Sequence, residues 1–231
     1  MTVVLAAVCS DGVVIGSDSQ ITESSRGMSF PAQKLHPLGE CAAWGGSGAR
    51  GVLEDLRPIL DGDAAAILEA PNIGDEIQER VVPILKKHYA NYIDEVPGEG
   101  SGGGVSAYVL AAGVSQGKRW IVEVNPNGLI GRYDDVGFHA IGSGAAMAQQ
   151  AGALMSHFRM TERSVDHGVV AVVRVLDALA ETSPSVGGPI DVARIVEEGA
   201  HHLTEKEIEK ARKDAARWMT REQEVLDTLF D

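Results

Sequence analysis

The chain has 231 residues, of which 44% are hydrophobic, 23% charged and 5% aromatic, with 27 glycines. This length fits one large domain, and the composition excludes collagen, a coiled coil and a disordered chain as the main architecture. The 20 Lys and Arg residues against 33 Asp and Glu residues give a net charge of −13. That charge disfavours nucleic acids and anionic membranes as partners, because both attract positively charged surfaces.

Cys9 and Cys41 are the chain's 2 cysteines, and each lies in an apolar run without a second cysteine nearby. This pattern is typical of buried free thiols rather than of a disulfide framework. The 7 histidines lack metal-ligand spacing, so we expect neither a metal nor another cofactor. The sequence contains no apolar stretch of membrane-spanning length and no secretory signal, so we expect a cytoplasmic protein.

The N-terminal half predicts strands followed by two helices. Two β-branched runs around Ser10-Asp11-Gly12 indicate a hairpin, and their near-continuous apolarity indicates strands covered on both faces. Helical spacing of apolar residues follows, with Pro83 expected to kink or interrupt the second helix. A glycine-rich flexible loop is expected over 95–104. We expect strands over 3–8, 13–15, 34–38 and 41–45, and helices over 50–61 and 75–94.

The C-terminal half continues with strands and paired helices. Ser164 is expected to cap one helix, and Thr204 with Glu207 matches a capping box for another. Helices grouped in pairs between sheet segments favour an α+β fold, with stacked antiparallel sheets and helices outside. We expect a single domain over residues 1–231. We expect strands over 105–112, 119–124, 137–141 and 190–196, and helices over 144–158, 165–181 and the charged C-terminal segment 203–230.

Thr2 is the first candidate for chemistry. A threonine at this position is ordinarily part of a frayed terminus, but here a strand follows at once and the small side chain permits removal of Met1. A free α-amine would then lie beside the hydroxyl. Its pKa of about 7.7–8.0 leaves part of it neutral and able to accept the hydroxyl proton. This is the arrangement of an N-terminal threonine nucleophile.

Such a nucleophile needs a nearby cation, an anion that holds the cation, and backbone donors for an oxyanion. Asp18 ends the second predicted strand, and Lys34 lies in an otherwise uncharged stretch. Gly45-Gly46-Ser47-Gly48 ends the next apolar run, where N–H groups could face a substrate. Each has an ordinary alternative explanation as a surface Asp, a surface Lys or a glycine turn. Spacing alone does not bring them together.

These residues resemble a known family, the proteasome β-subunit and HslV peptidases of the N-terminal nucleophile hydrolase superfamily. The resemblance covers roughly residues 2–196 and rests on the order and spacing of short segments. One segment, Ser185-Val-Gly-Gly-Pro-Ile-Asp191, is similar to the stand-alone bacterial homologues called Anbu, and the subfamily stays open. The matching segments are Thr2-Val-Val, Gly16-Ser-Asp-Ser-Gln20, Lys34-Leu35, Ala43-Trp-Gly-Gly46, Ala140-Ile-Gly-Ser-Gly144, Val165-Asp-His-Gly-Val169 and Gly187-Gly-Pro-Ile-Asp-Val192.

The resemblance implies a four-layer αββα sandwich and a threonine endopeptidase. It makes Thr2 the nucleophile once Met1 is gone, Lys34 the cation that tunes it, and Asp18 the partner of Lys34. It makes Ser143 the serine that hydrogen-bonds around the terminal amine. Gly45 corresponds best to the oxyanion donor, with Gly46 beside it.

One region departs from the family pattern. Many proteasome β-subunits carry an Asp and a Ser where this chain has Ser183 and Val186. The change removes a carboxylate from the surroundings of the amine. Ser183 is therefore the position whose part in the amine's hydrogen-bond network needs testing.

The resemblance also implies peptide or unfolded-protein substrates, a homo-oligomer built as a ring or helical stack, and an ATP-dependent unfoldase as partner. Two alternatives remain open. One is an amidase of the same superfamily that acts on a small amide. The other is a non-catalytic assembly subunit, like proteasome α-subunits, which carry an N-terminal extension. Having only Met1 before Thr2 favours the catalytic type, whereas a retained Met1 would block the amine.

Overall fold

The structure is a computed structural model that describes residues 2–23, 28–93, 104–183 and 186–229. The predicted loop 95–104 lies outside the described residues except for Gly104, as does Met1. The strands are β1 Val4–Val8, β2 Val13–Asp18, β3 Gln20–Glu23, β4 Met28–Pro31, β5 Leu35–Pro37, β6 Ala42–Gly48, β7 Ala107–Ser115, β8 Lys118–Val124, β9 Ile130–Arg132, β10 Phe138–Ile141, β11 Ile190–Val196 and β12 Gly199–His202. The helices are α1 Arg50–Glu69, α2 Ile73–Ala90, α3 Ala145–His157, α4 Val165–Thr182 and α5 Glu205–Asp227, with a short 3-10 turn at Met160–Glu162.

Two five-stranded sheets occupy the centre of the molecule. The first has the order β10-β1-β2-β11-β12 and the second the order β5-β6-β7-β8-β9, while β3 and β4 pair as a separate hairpin. Every pairing between these strands is antiparallel. Both sheets therefore have the antiparallel character that the sequence predicted.

Three apolar clusters separate the layers. Between the two sheets lies a cluster that includes Val4, Ile15, Leu110 and Ile121. A second cluster joins the outer face of the first sheet to α3, α4 and α5. A third joins the outer face of the second sheet to α1 and α2. The order of layers is helix, sheet, sheet, helix, which confirms the predicted αββα sandwich.

Strands β1 and β2 are buried along their whole length, as their near-continuous apolarity predicted. β1 lies between β10 and β2, so it is an inner strand, and Thr2 lies two residues before its first residue, Val4. The fold therefore carries the start of the chain into the middle of a sheet.

The structure differs from the sequence-based elements in several places. Helix α2 runs unbroken through Pro83, so the predicted break there is wrong, whereas the predicted kink stays a prediction. Pro83 is exposed. Because proline has no N–H, one carbonyl in the preceding turn lacks its helical partner, and water can hydrate this carbonyl on the exposed side of the helix. Hairpin β3–β4 and strand β12 were not predicted, and α1 extends well past residue 61.

Two N-terminal helix caps were predicted from the sequence, and the structure shows the capping bond for one of them. The capping box is present, since the Thr204 side chain accepts from the Glu207 N–H and the Glu207 side chain accepts from the Thr204 N–H. Ser164 occupies the predicted cap position of α4, but its side chain makes no capping bond. Instead its hydroxyl lies 2.9 Å from Nδ1 of His167. That the whole chain forms one domain stays a prediction.

Candidate active site

Thr2 is held by the segment that follows β10. Its N–H donates to Oγ of Ser143 over 3.1 Å, and its carbonyl accepts from the N–H of Gly144 over 3.2 Å. Gly142 has a φ of +96°, and a Cβ there would lie 2.2 Å from the Thr2 carbonyl oxygen. The close approach requires glycine at 142. Thr2 is therefore anchored to the sheet, and the ordinary interpretation as a frayed terminus is wrong.

Asp18 and Lys34 form a buried ion pair at the end of β2. Asp18 is 0% exposed and Lys34 is 7% exposed, so neither is a surface residue. The Lys34 Nζ donates to Oδ1 of Asp18 over 2.8 Å and to the Gln20 carbonyl over 2.6 Å. Burial lowers the pKa of the Lys34 ammonium below its ordinary value, and the Asp18 carboxylate opposes this shift.

The Asp18 carboxylate also binds the backbone around Thr2. Its Oδ1, which accepts from Lys34, accepts from the N–H of Val3 over 2.9 Å. Its Oδ2 accepts from the N–H groups of Gln20 and Gly187 over 3.1 and 3.4 Å. One oxygen therefore connects the lysine ammonium with the residue that follows Thr2, which brings the two predicted partners together at the start of β1.

A cleft of about 370 Å³ opens beside Thr2. Its walls come from the β3 region, the segment before β5, strand β6 and the first turns of α1. A larger cavity of about 670 Å³ between α4 and α5 contains none of the candidate residues. The residues that line the cleft are Thr2, Ile21, Ala32, Gln33, Lys34, His36, Trp44, Gly46, Gly48, Arg50, Leu53, Glu54 and Arg57.

The register of β6 decides which glycine N–H groups can face this cleft. The N–H of Ala49 donates to the Ser106 carbonyl over 2.9 Å. Hydrogen-bonded pairs alternate along an antiparallel ladder, so the N–H of Gly45, opposite Leu110, points at β7. The N–H groups of Gly46 and Gly48 point the other way, and Gly48 lies past the end of β5. The geometry thus favours Gly48 and Gly46 over Gly45 as oxyanion donors.

Ser143 and Ser183 lie in different surroundings. Ser143 contacts Thr2 directly, as its Oγ also donates to the Thr2 carbonyl over 3.4 Å. Ser183 is the C-terminal cap of α4. The sequence did not predict a contact for Gly187, which follows Ser183 by four residues. Its N–H donates to the Asp18 carboxylate and so contacts the site. The two adjacent glycines at 187 and 188 were the sequence signal for this close approach.

Both cysteine thiols have a pKa above the ordinary value. Burial, followed by the charge of Asp11, raises the pKa of the Cys9 thiol to about 12, so it stays protonated at neutral pH. Burial also raises the pKa of Cys41.

Within the described parts of the chain, His, Cys, Asp and Glu residues form no group of three that could hold a metal ion. Nor does any helix in those parts have the length and apolarity to cross a bilayer.

Comparison with known proteins identifies the family. Residues 2–195 match the proteasome subunit family. The chain belongs to that family. A proteasome subunit beta from Ferroglobus placidus is 25% identical over 208 residues, covering 90% of this chain and 92% of the relative. Proteasome subunit beta 1 from Streptomyces avermitilis is 26% identical over 216 residues, covering 90% and 74%.

Solved structures confirm the fold. A mutant of Anbu from Hyphomicrobium sp. strain MC1 superposes with a TM-score of 0.73 at 13% identity, over 100% of both chains. Anbu from Yersinia bercovieri, described as an ancestral beta-subunit, gives a TM-score of 0.73 at 15% identity, over 99% of this chain and 98% of that one. The resemblance to the proteasome family found in the sequence is therefore confirmed, and the chain shares its fold with the two Anbu structures.

Proposed function

We propose that the protein is a threonine-type endopeptidase whose nucleophile is the Thr2 hydroxyl after removal of Met1. The observation that carries the proposal is the shared oxygen of Asp18, which accepts from both Lys34 Nζ and the N–H of Val3. It ties a buried cation to the backbone next to Thr2, beside a cleft that Thr2 itself lines.

In the first step the free α-amine of Thr2 accepts the hydroxyl proton while Oγ bonds to the carbonyl carbon of the scissile amide. The Ser143 hydroxyl, 3.1 Å from the Thr2 nitrogen, orients that amine. The nearby Lys34 ammonium favours the deprotonated hydroxyl by its charge. Base and nucleophile thus belong to one residue.

The carbonyl oxygen becomes negatively charged in this step. The N–H of Gly48, with that of Gly46 beside it, is our candidate donor to this oxyanion, because both residues line the cleft. Helix α1 begins immediately after β6, its cap residue Ala49 makes no side-chain bond, and its first turn holds no acidic residue. The positive end of the helix therefore adds to the stabilisation of negative charge.

The intermediate collapses when the protonated amine gives its proton to the leaving nitrogen. The C–N bond breaks, the new amine terminus departs, and an ester remains on Oγ of Thr2. Water then attacks the ester with the α-amine again acting as base, which releases the carboxylic acid and regenerates the hydroxyl. The complete reaction consumes only the peptide and one water molecule.

We propose that substrates are peptides or unfolded proteins and that the enzyme works inside a cytoplasmic homo-oligomer, a ring or helical stack, supplied by an ATP-dependent unfoldase. Support for assembly is the relationship to proteasome beta subunits. A terminal nucleophile also benefits from confinement, since an open site would cleave folded neighbours, and closed symmetric assemblies provide it.

Cleavage of fluorogenic peptides by matched variants tests the proposal. Thr2→Ala should lose activity, because the attacking oxygen is gone, while Thr2→Ser should keep part of it. Lys34→Ala should be severely impaired. Ser183→Ala should retain most activity if this position has left the amine's network. Full activity in Thr2→Ala would overturn the proposal, and an inactive parent that starts at Thr2 would favour the non-catalytic assembly subunit.

A further inference from the structure

Helix α5 carries one continuous stripe of mainly apolar side chains, and the last part of that stripe is exposed. Its members follow one another at alternating steps of three and four residues, which is the spacing of a helix that packs along a single seam. In the first half of α5 these side chains are buried. Val225, and Leu229 in the turn that directly follows the helix, lie on the same face but are 61% and 64% exposed. The stripe therefore runs past the surface that covers its beginning. It comprises Ile208, Ala211, Ala215, Trp218, Glu222, Val225 and Leu229.

The cavity of about 670 Å³ between α4 and α5 lies beside the middle of this helix. Its apolar lining comes from Phe158, Met160, Val170 and Trp218. Three arginines and two aspartates stand around these side chains, so positive groups outnumber carboxylates there on a protein whose net charge is −13. The charged lining residues are Arg163, Arg217, Arg221, Asp166 and Asp214.

The arginines of this cavity are able to bind a further acidic partner. Within the described residues the guanidinium of Arg163 forms no ion pair. Arg217 and Arg221 pair with Asp214 and Glu224 of their own helix, but the two arginine side chains are 81% and 79% exposed. Ion pairs as exposed as these contribute little stability, because water screens them. The cavity therefore suits an apolar segment that carries negative charge.

The last turns of α5 have this composition. Residues 222–229 combine three apolar side chains with Glu222, Glu224 and Asp227, and they contain no lysine or arginine. They cannot enter the cavity of their own chain, because α5 is one unbroken helix and a rise of about 1.5 Å per residue places Val225 about 10 Å beyond Trp218 along its axis. A second copy of the chain can supply the segment.

We propose that the last turns of α5 in one copy of the chain fill the cavity between α4 and α5 in a second copy, and that the second copy does the same in return. The two α5 helices then lie antiparallel about a twofold axis, which makes the interface isologous. Val225 and Leu229 of one copy contact Phe158 and Trp218 of the other. The carboxylates at positions 224 and 227 face the arginines of the cavity.

The order of charges along α5 favours the antiparallel orientation. Arg217 and Arg221 come first, and Glu224 and Asp227 follow. Antiparallel helices therefore place unlike charges opposite each other, whereas parallel helices place like charges opposite each other. The contact does not depend on the chemistry of Thr2, which lies outside the cavity.

Photo-cross-linking tests the contact directly. Leu229→p-benzoylphenylalanine places a photoreactive ring on the exposed part of the stripe. Covalent dimers are separated by denaturing electrophoresis, and mass spectrometry then maps their linked peptides. Most links should join residue 229 to residues 158–170 or 214–221 of the second copy. Dimers linked elsewhere, or a protein that gives no dimers, would overturn the inference.

Leu129→p-benzoylphenylalanine is the matched control for this experiment. Leu129 is 63% exposed and lies between β8 and β9, on the second sheet. It should give no links to residues 158–170 or 214–221. Thr2→Ala should cross-link from position 229 as the parent does, so failure of the peptidase proposal would leave this inference standing.

Association of charge-reversed variants tests the pairing of the two copies. One protein carries Arg163→Glu with Arg221→Glu, and the other carries Glu224→Lys with Asp227→Lys. Each alone should show a dissociation constant about tenfold higher than that of the parent in sedimentation equilibrium. An equal mixture should recover the parent's value, because each cavity then meets a segment of opposite charge. A mixture that associates no more tightly than the separate variants would contradict the proposal.

Discussion

Asp18 is the residue on which the polar groups of the site converge. It is fully buried, and its two oxygens accept from Lys34, Val3, Gln20 and Gly187. Replacing its charge leaves a buried ammonium without an anion, which costs about 3 kcal/mol or more. Urea unfolding of Asp18→Asn should show a loss of this order, whereas Asp63→Asn on the exposed surface should change stability little.

The pH dependence of activity should depend on the ion pair of Asp18 and Lys34. The rate should rise with pH as the Thr2 amine loses its proton near about 7.7–8.0, and fall at higher pH where Lys34 loses its own. Burial already holds the pKa of Lys34 below its ordinary value, and Asp18 raises it against burial. Asp18→Asn should therefore move the alkaline fall to lower pH in whatever activity remains. An unmoved alkaline limb would contradict the role of Lys34.

Gly142 sets the position of Thr2 through backbone contact. A Cβ at this residue would lie 2.2 Å from the Thr2 carbonyl oxygen, and the φ is +96°. Gly142→Ala should therefore cost about 1–3 kcal/mol in the free energy of unfolding and lower activity by displacing Thr2. Gly62→Ala, on the exposed side of α1 with nothing within 4 Å of the new Cβ, should be neutral or stabilising. Equal effects of the two changes would show that Gly142 does not position Thr2.

Residue type made Thr2, Asp18 and Lys34 candidates, the family resemblance implied their roles, and the structure brings them together. Their chemistry stays a prediction. The sequence did not show which residues of β6 direct their N–H groups toward β7. In the structure the N–H of Gly45 points toward β7, and Gly48 lies at the cleft. Adjacent glycines look alike in sequence, and a shift by one residue reverses the direction of every N–H. The contact of Gly187 with Asp18 depends on a long-range pairing of β11 with β2, which local patterns do not specify.

At the scale of elements, the buried strands were the most predictable part. Continuous apolar runs identify β1 and β2 in the sequence, and the capping box identifies the start of α5. Strand β12 is short and carries two histidines, and it forms because β11 and the Glu40 carbonyl supply partners. Pro83 failed as a helix breaker because packing of Ile77, Val81 and Leu85 holds α2 on both sides of it.

The far half of α5 is attached through Trp218 and Glu222, and Phe158 packs edge to face against Trp218 with ring centroids 4.7 Å apart. Arg174 of α4 lies 4.4 Å from the ring centroid of Trp218 and donates to both carboxylate oxygens of Glu222. The first half of α5 instead buries Ile208, Ala211 and Ala215. Hydrogen exchange in Arg174→Ala should therefore speed up beyond residue 217 and change little before it.

Arg217→Ala is the matched control for this change, because Arg217 is exposed and pairs with Asp214 on the same helix. It should leave exchange in α5 nearly unchanged. Equal acceleration along the whole helix in Arg174→Ala would show that the helix is attached as one unit.

At the scale of the whole molecule, the layer order follows from where apolar residues lie. The inter-sheet cluster contains many small side chains, Ala6, Ala43, Ala112 and Ala193 among them, which let the two sheets approach closely. The helix pairs cover the outer faces. The grouping of helices between sheet segments was visible in the sequence, and for this reason the four layers were predictable although several strand boundaries were not.

Assembly into a homo-oligomer is the quaternary structure that we expect for this protein. The family relationship to proteasome beta subunits leads us to expect a homo-oligomer that encloses Thr2. Sedimentation velocity across working concentrations should show a single large species that persists in Thr2→Ala. A protein that is monomeric throughout would contradict the proposed compartment.

Mass spectrometry of the protein's N-terminal peptide is the sharpest test of Thr2, freed of Met1, as the nucleophile. The protein is analysed before and after incubation with a peptide carrying an electrophilic β-lactone, which acylates a reactive hydroxyl. We expect a peptide that begins at Thr2 and gains the full mass of the reagent on that residue. A retained Met1, or an adduct on another residue in a protein that cleaves peptides, would contradict it.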